Sequence, residues 1–443
     1  MKYIITIIMV LTLGWGLYSY SLYENYENYE LGLGNRIINL DARSAALGSA
    51  ATAGGNNLAD MMLNPANISY LDDNINAQLS FDVNGVTENR TMPLFNFFDS
   101  YVDDATYASN FDLFGHFAAF GHYRRNFDYF DFDLALSYRP FTSYDGYYEE
   151  QVRNNEGSDF DNYPPILATN FIRSEGNLYA LAAAAAISFD RGTDLFGKSA
   201  LALEIMNLSG DQLVEKEIVW SEYAHENAVV QDLCQIRERS MEAMHYRIGV
   251  RTAISRRVGL GLMYVPSTNI DVTDEVAGEA DEDIVLPSSF RIGLVYMPRN
   301  ILRTYVNADV EFVQWSDTDE HLFDAVNYYV GLEHQFPHTV PFRLGFRYEI
   351  SPSYKVKGEE FVTPGPVIMT AISAGTGFKI LDRFNLDLAA EFANRSYEAM
   401  DIFPDSFYNH TGLWNNYSPQ DRQDPDTIKE SFVNFKTSIN FKW

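Results

Sequence analysis

The sequence predicts an all-β fold: a transmembrane antiparallel β-barrel of about fourteen strands with an N-terminal plug, or hatch, segment. Three observations carry this. The chain ends in an unbroken period-two strand, the gaps between strand segments alternate long and short, and an export signal is followed by no apolar run long enough to span a bilayer as a helix.

The terminal strand is Ser431 to Trp443, SFVNFKTSINFKW. Val433, Phe435, Thr437, Ile439, Phe441 and Trp443 share one face, and Asn434, Lys436, Ser438, Asn440 and Lys442 share the other. A strand with lipid on one side and a wet lumen on the other has this pattern. Such a strand must also pair with the first strand, because a sheet edge cannot stay unpaired in hydrocarbon.

Fourteen alternating segments of bilayer-crossing length are read from residue 74 onward: 74–84, 114–123, 129–139, 178–190, 198–209, 244–256, 258–266, 289–298, 302–314, 325–336, 341–350, 368–380, 384–395 and 431–443. The alanine run at 182–186 fits either a strand or a helix. The intervening gaps alternate long and short along the whole series, which matches long external loops and short periplasmic turns. A β-sandwich gives no reason for such alternation.

At the amino end, Lys2 precedes the apolar run Tyr3 to Leu17, and small residues stand at Ser19 and Ser21. Residues 1–21 therefore read as a secretory signal peptide, cleaved near Ser21. Residues 22–73 form the plug segment and residues 74–443 the barrel. The plug stretch is rich in Ala and Gly, with a short helical piece before the Asn64-Pro65 turn. The expected location is the bacterial outer membrane, with the plug facing the periplasm.

The net charge is −29, which argues against nucleic-acid partners. Residues 140–177, 210–243, 267–288 and 396–430 read as loops and hold 29 acidic residues against 7 basic ones, so the charge sits on the outer rim. This is either a solvated, repulsive surface or one bridged by divalent cations to an anionic lipid surface. The segment 271–283 is acidic but lacks EF-hand spacing. Cys234, the one cysteine, excludes a disulfide framework and reads as an incidental loop residue. No hydrolase or nucleotide motif is present, so no enzyme activity and no cofactor are expected.

Residues 41–71, DARSAALGSAATAGGNNLADMMLNPANISYL, resemble the hatch of the FadL-type outer-membrane transporter superfamily, and within it the PorV/PorQ-like branch. The blocks Ala42 to Gly48 and Asn64-Pro65-Ala66 carry the resemblance. LPSSFRIGLVYMP (286–298), PFRLGFRYEISP (341–352) and AISAGTGFKI (371–380) resemble late strands of the same superfamily. Asn67 and Met61-Met62-Leu63 depart from its usual hatch pattern. The resemblance implies a fourteen-stranded barrel and, for Asn64, Pro65 and Ala66, a plug that moves to open a path. Their bland alternative is a structural turn.

The lumen-facing charges are read as Arg247, Arg251, Arg291, Arg343, Arg347, Glu204, Asp309, Glu311, Glu333, Asp387 and Glu391. They form either an ion-pair network that braces the plug or a site where an arginine receives a fatty-acid-like carboxylate, with Arg343 and Arg347 the best placed. In the loop 210–243, the helical spacing of Val229, Val230, Leu233, Cys234, Ile236 and Arg237 near Trp220 predicts an amphipathic helix. Trp220, Val230 and Leu233 would then capture a hydrophobic ligand or simply cap the barrel.

Two functions follow as expectations. One is passive uptake of hydrophobic molecules such as long-chain fatty acids, with outer-membrane lipid and a hydrophobic small molecule as partners. The alternative is a PorV-like outer-membrane component of a type IX protein secretion system, with secretion-system proteins as partners.

Overall fold

The computed structural model describes residues 34–95, 98, 100–153, 165–190, 197–274, 283–299, 303–320, 322–336, 340–352, 366–381, 383–399, 402–403, 408, 411–413 and 426–443. The signal-peptide expectation lies outside them, as does most of the acidic stretch 271–283. No helix among the described residues is long and apolar enough to cross a membrane.

The wall is a closed antiparallel barrel of fourteen strands. In chain order they are β1 (Ile75–Phe95), β2 (Tyr101–Asn126), β3 (Asp131–Ser143, continued by Gly146–Arg153), β4 (Ile166–Phe189), β5 (Ser199–Trp220), β6 (Leu233–Ser255) and β7 (Val258–Val265, continued by Thr268–Asp274). Then come β8 (Ile284–Leu286, continued by Ser288–Tyr296), β9 (Arg303–Gln314), β10 (Ala325–Gln335), β11 (Pro341–Ser351), β12 (Val367–Leu381), β13 (Phe384–Ala399) and β14 (Asp426–Lys442). Each pairs with its sequence neighbours. The terminal strand closes the ring on the first, from Thr427↔Thr91 to Lys442↔Asn76. The backbones of Ile75 and Trp443 exchange hydrogen bonds at the seam.

Alternation along the strands sorts side chains between two solvents. Phe81, Phe117, Leu136, Leu181, Leu201, Ile248, Phe346, Ile372 and Phe435 point outward and are exposed, while their strand neighbours point inward and are mostly buried. An apolar outer band around a polar interior is the pattern of a membrane barrel.

Several stretches read as loops are strand. Residues 140–153 extend β3, residues 166–177 open β4, 210–220 close β5 and 233–243 open β6. These upper strands carry little outward apolarity, so they lack the lipid-face pattern that marks the lower part. The alanine run 182–186 is strand, not helix. Ala184 and Ala186 face inward with Ala118, Ala135, Ala200 and Ala202, and the space left by their short side chains is taken by Leu58, Met61, Met62, Ala66 and Ile68 of the segment inside the barrel.

That inner segment runs from Gly34 to Leu71 and is almost wholly buried. It contains a helical turn (Ala42–Ala45) and two 3-10 turns (Leu58–Met62 and Pro65–Tyr70). It touches strands all round the wall, so it lies in the lumen. Close approach depends on glycines in the wall. A Cβ on Gly261 would lie 2.2 Å from the Thr52 carbonyl oxygen, one on Gly331 2.5 Å from the Leu47 carbonyl oxygen, and one on Gly345 1.9 Å from the Gly48 nitrogen. Replacing Gly345 by Val should therefore push the inner segment off the wall at a cost of about 1–3 kcal/mol. The expected readout is earlier loss of the compact gel form on heating, with faster proteolysis of the inner segment. Unchanged behaviour of both would refute the close-packing account.

Candidate functional site

The turns of the inner segment bond part of its own backbone, as in Ala45 N–H to Asp41 and Gly55 N–H to Ala51, and each peptide group left over would cost about 1–3 kcal/mol if buried unpaired. The wall supplies the missing partners. Arg247 Nη1 donates to the Met62 carbonyl at 2.9 Å, and Arg124 donates to the Leu71 and Ile68 carbonyls at 2.7 and 3.0 Å. Arg251 donates to the Gly55 carbonyl and to Asn67 Oδ1, and lies 3.8 Å from the centre of the Tyr70 ring. Asp309 accepts from the Thr52 N–H and hydroxyl at 3.0 and 2.7 Å while paired with Arg291 at 3.0 Å.

Asn64, Pro65 and Ala66 form the start of the second 3-10 turn. Asn64 Oδ1 caps it by accepting from the Ala66 N–H at 3.0 Å, and Pro65 occupies a first-turn position that needs no N–H donor. Asn64 Nδ2 ties two layers together, donating to the carbonyls of Thr52 at 2.8 Å and of Val250 in the wall at 3.0 Å.

Arg343 and Arg347 both face the lumen, and carboxylates already hold both. Arg343 donates to Glu333 at 3.0 Å and Asp387 at 2.7 Å, and Glu333 also pairs with Arg43 of the inner segment at 2.8 Å. Arg347 contacts Glu391 through two nitrogens, at 3.1 and 2.6 Å, and also contacts Glu349. Arg343 therefore belongs to the brace around the inner segment. Arg347 lines a cavity.

That cavity, about 200 Å³, lies between the inner segment and the long-strand end of the barrel. Residues 34–39, Ala45 and Ser49 of the inner segment form one side. Phe114, Trp315, Ile350, Met369 and Phe432 supply apolar surface from the wall, and Asp82, His116, Arg347, Glu391, Arg395 and Lys436 supply charged or ionisable groups. The sequence reading missed it, because it is assembled from β1, β2 and β9 to β14 together with the chain's first described residues.

Beside it the wall breaks. The pairing of β2 with β3 stops at Ala119↔Tyr138. Residues 139–146 of β3 lose the alternation of burial and are buried throughout, as expected where a strand dips into the lumen and both its faces are covered. Asn35 and Arg36 pair with Ser143 and Thr142 on this stretch. On the outer surface nearby is a groove of about 490 Å³, whose lining includes Tyr138, Gly176, Tyr179, Leu181 and Asp211.

The amphipathic helix expected across Val229 to Arg237 is absent. The helix in this region is Glu222–Asn227, and Leu233 onward is β6, paired with β5 from Ile218↔Leu233. The spacing that suits a helix is overridden by the free edge of β5. Trp220, Val230 and Leu233 nonetheless meet in one apolar cluster with Tyr148, Phe403 and Tyr408. Trp220 is buried there, its Nε1 donating to the Gln231 carbonyl at 3.0 Å. The cluster is a packed cap over the upper strands, not an open groove.

Cys234 is on β6, not in a loop, and is exposed beside Glu215 and Glu217. Desolvation and those two carboxylates push its thiol above the ordinary value, so it is a poor nucleophile. Cys234 is exposed and the two glutamates are half-buried, and none of the three lines the cavity.

No protein-family model matches the chain, and no curated protein matches its sequence. Solved structures do match. A FadL homologue of Pseudomonas aeruginosa is similar at TM-score 0.54 with 13% identity, covering 92% of this chain and 99% of that one. The Pseudomonas putida toluene transporter TodX gives 0.54 and 14%, and the Ralstonia pickettii toluene transporter TbuX gives 0.52 and 14%, each with 92% of this chain and 99% of the other covered. The chain thus shares the outer-membrane β-barrel fold of these FadL-type proteins.

Arg343→Met should leave Asp387 buried without its cation and Glu333 with one arginine fewer, destabilising the barrel by about 3–5 kcal/mol. Denaturant unfolding in detergent measures this, and a loss under about 1 kcal/mol would show that the pair does not brace the inner segment.

Proposed function

We propose that the protein admits hydrophobic molecules passively across a bacterial outer membrane, with residues 22–73 acting as its plug and facing the periplasm. The observation that carries this reading is the cavity whose floor is the inner segment itself. A site bounded by a separable piece of chain can change shape when that piece shifts, while the fourteen-stranded wall stays closed by its hydrogen bonds. The structures that share the fold include two described as toluene transporters, which supports the same class of cargo.

The route runs from the long-strand end into the cavity. Its exit is either past the inner segment or sideways, at the break between β2 and β3, where Asn35 and Arg36 would have to leave their pairing with β3. Long-chain fatty acids are the finer expectation from the sequence resemblance. Arg343 and Arg347 give it no support, because both are taken up by wall carboxylates.

A second reading, a PorV-like component of a type IX secretion apparatus, has one observation in its favour. The described lumen is largely filled by the inner segment and its ion pairs, as suits a scaffold whose business is on its surface.

The two readings separate in cells. Radiolabelled toluene should enter cells carrying the protein several-fold faster than cells lacking it, and Met369→Trp, which fills the cavity, should remove most of that difference. Equal uptake with and without the protein, together with secretion proteins recovered by crosslinking, would reject uptake in favour of the scaffold.

A further inference from the structure

The inference concerns which hydrophobic molecules the cavity accepts, and it rests on the uptake reading above. We propose that the cavity takes uncharged molecules of about one aromatic ring and rejects carboxylates, and that Glu349 and Glu391 set this selectivity by occupying Arg347.

Size comes first. A dry cavity of about 150 Å³ holds one benzene ring, and drug-sized pockets begin near 300 Å³. At about 200 Å³ this cavity suits a ring with a short substituent.

Charge decides the rest. Four cations line the space, and each has a partner in the protein. Arg36 pairs with Glu311 at 2.8 Å. Arg347 is held by Glu391 and Glu349. Arg395 contacts Glu430 and donates to Ser351 Oγ at 2.9 Å. Lys436 donates to the Asn39 carbonyl at 2.7 Å and lies 3.6 Å from Asp82. An entering carboxylate would meet Asp82, Glu349 and Glu391 in the lining and no cation without a carboxylate or carbonyl already on it. Burying an anion on those terms is costly, whereas a neutral ring meets Phe114, Ile350, Met369 and Phe432, with amides of Asn84, Asn327 and Asn434 for a hydroxyl.

The masking carboxylates are themselves fixed. The Tyr329 hydroxyl lies 2.9 Å from Glu349 and 2.7 Å from Glu311, its one proton shared between them, and Glu391 accepts from Asn434 Nδ2 at 3.0 Å. They do not swing away to release Arg347 without breaking those bonds. Arg347 is thus a carboxylate receptor held in its occupied state by the protein's own side chains, and the specificity lies in the mask.

The test is equilibrium binding of benzyl alcohol and benzoate, near-isosteric probes of different charge, to the full-length protein in nanodiscs at neutral pH. Wild type should bind benzyl alcohol at least tenfold more tightly than benzoate. Glu391→Gln should improve benzoate binding relative to benzyl alcohol about tenfold, because a neutral amide frees half of the Arg347 fork. Glu349→Gln should act in the same direction and serves if the first variant fails to fold, as judged by heat-modifiable gel mobility. Benzoate binding wild type as well as benzyl alcohol, with Met369→Trp removing both, would overturn the mask and leave the uptake reading standing. No binding of either probe that Met369→Trp can remove would overturn both.

Discussion

A chain of turns buried inside a barrel leaves some of its peptide groups without a partner of its own, and the wall must bond those. That constraint orders this structure. The helical turn and two 3-10 turns of the inner segment bond part of its backbone internally, and the carbonyls of Gly55, Met62, Ile68 and Leu71 take partners from the wall. Arg124, Arg247 and Arg251 donate to its carbonyls, and Asp309 accepts from the N–H and hydroxyl of Thr52. Each wall charge is in turn kept in a low-dielectric interior by a partner or by the carbonyls it binds. The lumen and its contents are one polar unit, and neither half is satisfied alone.

The same constraint explains the composition of the inward face. Where the inner segment presses on the wall, side chains shrink to Ala or Gly. Ala184, Ala186, Ala200 and Ala202 face its apolar side chains, and Gly261, Gly293, Gly331 and Gly345 face its backbone. Apolar burial then adds to the polar bonding at about 25 cal/mol per Å² of surface removed from water. Above this layer the inward side chains lengthen again. Tyr144, Met206 and Met241 fill one side of the lumen, while the other side keeps the cavity.

The break in β3 belongs to the same design. A closed barrel has no edge, and the interruption beside the cavity is covered from within by Asn35 and Arg36. Arg36 also carries the pairing inward to Glu311 on β9, so the cover is tied across the lumen by an ion pair as well as by two backbone positions.

Period two, the alternation of gap lengths and the terminal aromatic strand are local properties, and they determined the barrel and its fourteen strands. The lumen-facing charges were legible for the same reason, since alternation assigns a face. The upper halves of β3 to β6 were not, because above the lipid level the outward face turns polar and a strand there resembles a loop. The helix expected at Val229 to Arg237 failed on a tertiary fact: β5 offers a free edge, and pairing with it outweighs a weak helical periodicity. Partner choice was beyond the sequence altogether. That Arg347 meets Glu391, 44 residues away, and that residues 34–39 floor a cavity opposite Met369, follow from strand register and from where the inner segment settles. Sequence by itself determined which face each residue occupies; only the closed fold decided which charges cancel and what space remains between them.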